Sequence, residues 1–138
     1  MMKEKMYPIA RTFNCPGIPD TAVVAGNEQC TECVPVVDPL QIFDVDTLRV
    51  ILNWRSSKTR EGLFAYGPVG CGKTSTLTQG AARLNIPVYE KTFHEKVSFN
   101  ELVAQMTIVD GTSFLQYGPL AKAMWVDGKP GIFLANEI

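Results

Sequence analysis

The chain has 138 residues, 46% of them hydrophobic, with 13 Lys and Arg against 14 Asp and Glu and a formal net charge of −1. That length supports one modest domain, and the balanced charge, with no long single-sign run, gives none of the basic footprint that holds nucleic acid by its phosphates. No apolar run approaches the roughly 20 residues that span a bilayer, and Met1-Met2-Lys3-Glu4-Lys5-Met6 lacks the apolar stretch of a signal peptide. The composition therefore indicates neither a membrane nor a secreted protein, and the expected location is the cytoplasm.

Residues 1–40 are rich in Pro, Gly and Cys with little periodicity, and are predicted to form an irregular N-terminal arm, followed by an ordered domain over 41–138. Within the arm, Cys30-Thr31-Glu32-Cys33 has the spacing of half a zinc site, but a closed tetrahedral site needs four ligands. Cys15 could supply a third and His94 or a partner chain a fourth; without a second paired motif the simpler expectation is a plain loop holding no zinc. From Asp44, a helix cap, the residues Val45, Leu48, Ile51 and Leu52 form an apolar stripe that ends before Arg55-Ser56-Ser57-Lys58. This predicts a helix packed beside the strand that follows it.

Leu63-Phe64-Ala65-Tyr66, bounded by Gly62 and Gly67, reads as a short central parallel strand covered on both faces. It leads into Gly67-Pro68-Val69-Gly70-Cys71-Gly72-Lys73-Thr74, which fits G-x-x-x-x-G-K-[ST]. In that pattern the glycines permit a tight turn whose successive N–H groups wrap a nucleotide's phosphates. The lysine reaches the β and γ phosphates, and the following hydroxyl meets the magnesium ion. Gly67, Pro68, Val69, Gly70, Cys71, Gly72, Lys73, Thr74 and Ser75 are thus the candidate ATP-binding residues, with Thr74 a candidate Mg2+ ligand. A helix is predicted to open at the lysine, since Leu77, Ala81 and Leu84 recur at helical spacing until Asn85-Ile86-Pro87 stops them. Its N-terminal partial charge adds to the loop's donors. A protein working on ATP belongs in a reducing compartment, so the four cysteines, Cys15, Cys30, Cys33 and Cys71, are not expected to form disulfides.

Farther along, Val88-Tyr89-Glu90 reads as a second strand, and Ser98-Phe99-Asn100-Glu101 as a capping box opening a helix through Leu102, Val103 and Met106. Asp110-Gly111 signals a turn, Gly118-Pro119 the entry to a helix carrying Leu120, Ala123 and Met124, and Asp127-Gly128 its end. The last eight residues, Gly131 to Ile138, form an apolar strand that delivers Asn136 and Glu137 at its C-terminal end, a Walker B arrangement. Ligands sit at strand ends in parallel α/β sheets. Glu137 is therefore the candidate catalytic carboxylate that orients the attacking water, alongside Lys73, and Asn136 stands at the metal position. As an amide it accepts from a metal-bound water but lacks the charge of an aspartate.

Taken together, the Gly67–Thr74 loop, Ala81-Ala82-Arg83-Leu84-Asn85-Ile86-Pro87, Phe99-Asn100-Glu101-Leu102-Val103, Gly118-Pro119-Leu120-Ala121-Lys122-Ala123-Met124 and the terminal strand resemble the MoxR branch of AAA-plus ATPases. The resemblance is especially to the cobaltochelatase CobS-type members and related gas-vesicle or Rubisco-activase-like proteins. The resemblance covers about residues 34 to 138 and implies a P-loop NTPase fold, a parallel sheet flanked by helices. It also implies ATP hydrolysis in a homo-oligomeric ring that remodels a partner protein or assists metal or cofactor insertion, and a small hairpin insert over Thr107 to Tyr117. That branch continues past Walker B with a sensor-bearing strand, an arginine finger and a helical lid. The chain therefore reads either as an incomplete AAA-plus core or as a reduced, non-catalytic ATP-responsive binding module.

Overall fold

A computed structural model of the chain describes residues 4–29, 32–59, 61–124 and 131–137. Its contacts divide the chain into a first unit ending at Ile86 and a second beginning at Pro87.

The first unit contains β1 (Glu4–Pro8), α1 (Ile9–Phe13), β2 (Val23–Asn27), α2 (Val45–Ser56) and α3 (Lys73–Arg83). The N-terminal segment predicted to be irregular thus carries regular elements. β1 and β2 pair antiparallel, from Glu4 opposite Asn27 to Pro8 opposite Val23. What orders them is distant in sequence. Asn27 N–H donates to the Leu84 carbonyl at the end of α3 (2.8 Å), the Asn27 side chain donates to the Asn85 carbonyl (2.8 Å), and Asn85 in turn donates to the Tyr7 hydroxyl (2.9 Å). This close approach requires glycine at position 26, where a Cβ would lie 2.5 Å from the Leu84 carbonyl oxygen.

α2 begins where predicted, with the Asp44 carboxylate accepting from the Thr47 N–H (2.9 Å) and hydroxyl (2.8 Å). Of its apolar stripe, Leu48 and Leu52 are buried, and they pack in the same core as Phe13, Val24, Phe43, Ala81, Ala82, Leu84 and Ile86. Full burial of a side chain such as Leu48 stabilises the fold by about 1.5–3 kcal/mol. The helix packs against α3 and β2. α3 also ties down the extended segment before α2. Gln79 accepts from the Asp38 N–H (2.7 Å) and donates to the Val36 carbonyl (3.0 Å). Arg83 donates to the carbonyls of Asp38 (2.9 Å) and Thr12 (3.2 Å), with its guanidinium 5.1 Å from the Phe43 ring centroid.

The second unit contains β3 (Val88–Thr92), α4 (Phe99–Leu102), β4 (Ala104–Val109), β5 (Thr112–Tyr117), α5 (Pro119–Met124) and β6 (Ile132–Asn136). β3 and β6 form a parallel pair in register from Val88 opposite Ile132 to Thr92 opposite Asn136, so the fold is mixed α/β with one parallel pair among the described strands. The capping box forms as predicted: Ser98 accepts from the Glu101 N–H and Glu101 reaches back to the Ser98 N–H. The helix it opens is a single turn, however, and Met106, expected on its stripe, lies in β4. Thr107-Ile108-Val109 favours a strand, and Asp110 and Gly111, at φ 51° and 79°, make the two-residue turn of a hairpin. The hairpin expected over 107–117 therefore begins earlier, at Ala104, and ends at Tyr117. Its apolar side chains are exposed, Met106 by 73% and Ile108 by 70%. The predicted stop at Asp127-Gly128 lies outside the described residues.

Candidate nucleotide-binding site

The phosphate loop is built by three glycines and a helix start. Gly67, Gly70 and Gly72 adopt φ of 151°, 81° and 84°. A side chain at these φ values would strain the backbone. Gly72 is also the N-cap of α3 and has no side chain to offer the helix amides. The first intrahelical bond at this end runs from the Thr76 N–H to the Gly72 carbonyl (2.8 Å). By helix geometry the N–H groups of Lys73, Thr74 and Ser75 therefore point out of the helix end with the positive pole of its dipole.

Lys73 folds over the same turn. Its Nζ donates to the carbonyls of Gly67 (2.9 Å) and Pro68 (2.7 Å) and contacts the Cys71 sulfur (3.5 Å). The Thr74 and Ser75 side chains are exposed at the helix end. This donor set of ammonium, outward amides and a hydroxyl oxygen has the chemistry that a polyphosphate and its hard divalent cation require. All the candidate residues from Gly67 to Ser75 come together in this one loop and helix start.

The predicted strand leading into the loop does not form. Leu63 to Tyr66 carries no strand pairing; Phe64 and Tyr66 are 75% and 85% exposed, and their rings stack on one another at 6.2 Å. An apolar run becomes a strand only when a neighbour takes its backbone N–H and C=O groups, and among the described residues none does.

Asn136 and Glu137 stand together at the end of β6, in the second unit. Asn136 is the last strand residue, its carbonyl accepting from the Phe93 N–H (2.9 Å). Its side-chain Nδ2 donates to the Glu90 carboxylate on neighbouring β3. Glu137 is exposed and adopts φ 57°, a left-handed backbone in which a side-chain-bearing residue costs about 1–2 kcal/mol. That turn leaves the strand direction at the residue where a carboxylate is expected to work. Glu90 is the residue that sequence reasoning missed as part of this end of the sheet. Its signal was present, as the one acid in the short strand Val88-Tyr89-Glu90, but its neighbour became visible only with the β3–β6 register.

Among the described residues the remaining metal and thiol candidates form no ligand cluster. Cys15 is buried, its Sγ donating to the Phe13 carbonyl (3.5 Å), and burial pushes its thiol pKa up against the opposing charge of Arg83. Cys33 and Cys71 are exposed free thiols, and His94 accepts from the Lys96 N–H within a local turn. Cys30, the other half of the candidate zinc spacing, lies outside the described residues; among the described ones no three His, Cys, Asp or Glu side chains cluster as metal ligands. Nor is any described helix long and apolar enough to cross a membrane.

A glycine turn at a helix N-terminus with its lysine folded over it defines the P-loop NTPase class. Residues 62–138 match the AAA domain (dynein-related subfamily), and the chain belongs to that family of AAA proteins. It is similar to the denitrification regulatory protein NirQ of Stutzerimonas stutzeri, 40% identical over 58 residues that make up 42% of this chain and 21% of that protein. It is also similar to the protein NorQ of Paracoccus denitrificans (strain Pd 1222), 36% identical over 58 residues, 42% of this chain and 22% of that protein. NirQ of Pseudomonas aeruginosa is 39% identical over 59 residues, 42% of this chain and 22% of that protein. The matched segment thus spans about a fifth of the length of these curated relatives. No solved structure matches the chain significantly.

Proposed function

We propose that the chain binds ATP with Mg2+ through residues 67–75 and forms part of an ATPase of the MoxR type, with the cobaltochelatase-like members as the nearest functional model. The observation that carries this reading is the Gly67–Ser75 turn, where left-handed glycines, outward amides of α3 and the Lys73 ammonium converge. Lys73 would exchange the loop carbonyls for phosphate oxygens and Thr74 would meet the metal, while Asn136 and Glu137 are assigned the metal-side and water-orienting roles of a Walker B strand end. Bound Mg2+ supplies charge neutralisation on the phosphate oxygens. The wider role is ring assembly of like subunits in the cytoplasm and remodelling of a partner protein, or assistance in metal or cofactor insertion. The naming of similar proteins as denitrification regulatory proteins supports a regulatory role. A second reading, an ATP-responsive module without turnover, is favoured by one feature, the neutral Asn136 in place of a charged metal ligand.

The test is a calorimetric titration of ATP into the 138-residue chain and its Lys73→Ala variant. We expect the variant to lose at least about tenfold in affinity, because each 1.4 kcal/mol of lost charge pairing is a factor of ten. Equal affinities would remove the phosphate-site reading. Steady phosphate release by the wild-type chain, abolished in Glu137→Gln with binding intact, would exclude the module without turnover.

A further inference from the structure

The β4–β5 hairpin turns its apolar side to solvent and leaves its backbone edges open. Asp110 and Gly111 are both left-handed and make a two-residue turn, so the hydrogen bonds that close it run between Val109 and Thr112. Pairs alternate along an antiparallel ladder. From that start Thr107 bonds inward to Phe114 and Gln105 to Gln116, whereas the N–H and C=O groups of Ala104, Met106 and Ile108 on β4, and of Ser113, Leu115 and Tyr117 on β5, point out of the sheet. Among the described residues this sheet has two strands, and none of those six residues makes a backbone hydrogen bond elsewhere. Side chains alternate with the same period. Gln105 and Gln116 share one face and line a cavity with Asn100, Glu101 and Lys122. Met106, Ile108, Leu115 and Tyr117 share the other face and are all exposed. The amides thus lie against the unit and the apolar side chains meet water, the reverse of what burial favours. Sheet edges are ordinarily kept from pairing by Lys, Pro or a bulge. From Ala104 to Tyr117 there is no Lys, Arg or Pro, and Asp110 at the turn is the one charged side chain.

We propose that the β4 edge is a docking surface for a second copy of this chain: it pairs antiparallel with the β4 edge of that copy about a two-fold axis at Met106, perpendicular to the sheet. The two hairpins then form one four-stranded sheet with a continuous apolar face. Three arguments choose that occupant. Outward donors and acceptors along an open edge are satisfied by a strand. A two-fold sets Ala104 opposite Ile108 of the other copy and Met106 opposite itself, so the strand is complementary to its own duplicate. A face without charge brings no like charges together when it is duplicated, and it offers a charged partner nothing to pair with. β4 is favoured over β5 because its outward residues Met106 and Ile108 are the most exposed of the face. The inference does not rest on nucleotide binding, and the pairing is one to one, unlike the head-to-tail contacts that close a ring.

Sedimentation equilibrium of the 138-residue chain, without nucleotide and over a concentration series, tests the pairing. The wild type should rise in mass from one chain toward two. Met106→Pro removes an N–H that points out of the hairpin and leaves the β4–β5 ladder its bonds. Ile108→Lys sets two ammonium groups, one from each copy, in the apolar face. Each change occurs twice in a two-fold contact, so each variant should weaken association by at least about tenfold. Thr112→Lys puts the same charge on the opposite face and should associate as the wild type does. Circular dichroism at the lowest concentration checks that each variant is folded, and Ile108→Lys, which asks nothing of the backbone, decides the question if proline disturbs the strand. A wild type that stays at one chain throughout, association that survives in folded Ile108→Lys, or an equal loss in Thr112→Lys would overturn the proposal. So would growth beyond two chains that folded Met106→Pro leaves in place.

Discussion

The two units differ in how they earn their order. The first holds almost the whole buried apolar core, with Phe13, Phe43, Leu48, Leu52, Leu84 and Ile86 each at most 7% exposed, whereas among the described residues of the second the buried apolar side chains are Pro87 and Ala123. The first is knitted by contacts between segments far apart in sequence, such as Arg83 to Thr12 and Gln79 to Val36. The second relies on local devices: the β4–β5 hairpin, the Ser98–Glu101 capping box, and the Lys91–Glu101 ion pair, with the β3–β6 ladder as its long-range tie. Division of labour follows from this difference. A phosphate loop needs a firmly held helix, and α3 is anchored in the first unit's core through Gly80, Ala81 and Ala82 in its C-terminal half. The strand end carrying Asn136 and Glu137 rests on a more thinly packed scaffold, where Asn136 is tied locally to Glu90 and Phe93.

The largest effect that could break this comparison is on the core. Leu48→Ala should destabilise the chain by about 2–5 kcal/mol in chemical denaturation, as for other buried leucines whose removal leaves a cavity. Acid should act next, and mainly on the second unit. The Lys91 side chain, first, and then the Ser98 N–H hold the Glu101 carboxyl below the usual carboxylate range. A depressed folded pKa contributes stability that is present above the unfolded value and lost as pH falls through the folded one. Lowering the pH through and below the ordinary glutamate range should therefore loosen the single-turn α4. Asp44, lowered by the Thr47 N–H and hydroxyl, caps the 12-residue α2, which keeps its buried stripe when the cap is lost. Proteolysis in acid should accordingly begin around α4 before α2, and cleavage in the reverse order would count against the contrast. The smallest effect is expected at the hairpin, where Ile108→Ser, at a 70% exposed position, should stay within about 0.5 kcal/mol.

Those contrasts also explain what could be read in the sequence. The phosphate loop, α2, α3 and the capping box were legible because each is specified by residues a few positions apart: Gly72 before Lys73, Asp44 before Thr47, Ser98 before Glu101. β1 and β2 were not, because Glu-Lys-Met-Tyr-Pro and Val-Val-Ala-Gly-Asn carry no clear alternation, and their order comes from the end of α3, nearly 60 residues away from Asn27. The run Leu63–Tyr66 has the composition of a strand, yet composition cannot provide the neighbour that completes one. The capping box correctly marked a helix start at Ser98, while the β-branched run and Asp110-Gly111 turn that follow set its length to one turn. At the candidate site, Lys73, Thr74, Asn136 and Glu137 were named as candidates from the loop motif and the strand end. Glu90 needed the strand register to bring it to Asn136.

Whether ATP orders the Gly67–Thr76 segment is measured directly by amide hydrogen exchange of the 138-residue chain with and without Mg-ATP. Exchange should slow on ATP addition at the loop and the first turn of α3, and the slowing should vanish in Lys73→Ala; without nucleotide, amides after Pro87 should exchange faster overall than those of the core before it. Exchange in the Gly67–Thr76 segment that is unchanged by saturating Mg-ATP would contradict the central claim.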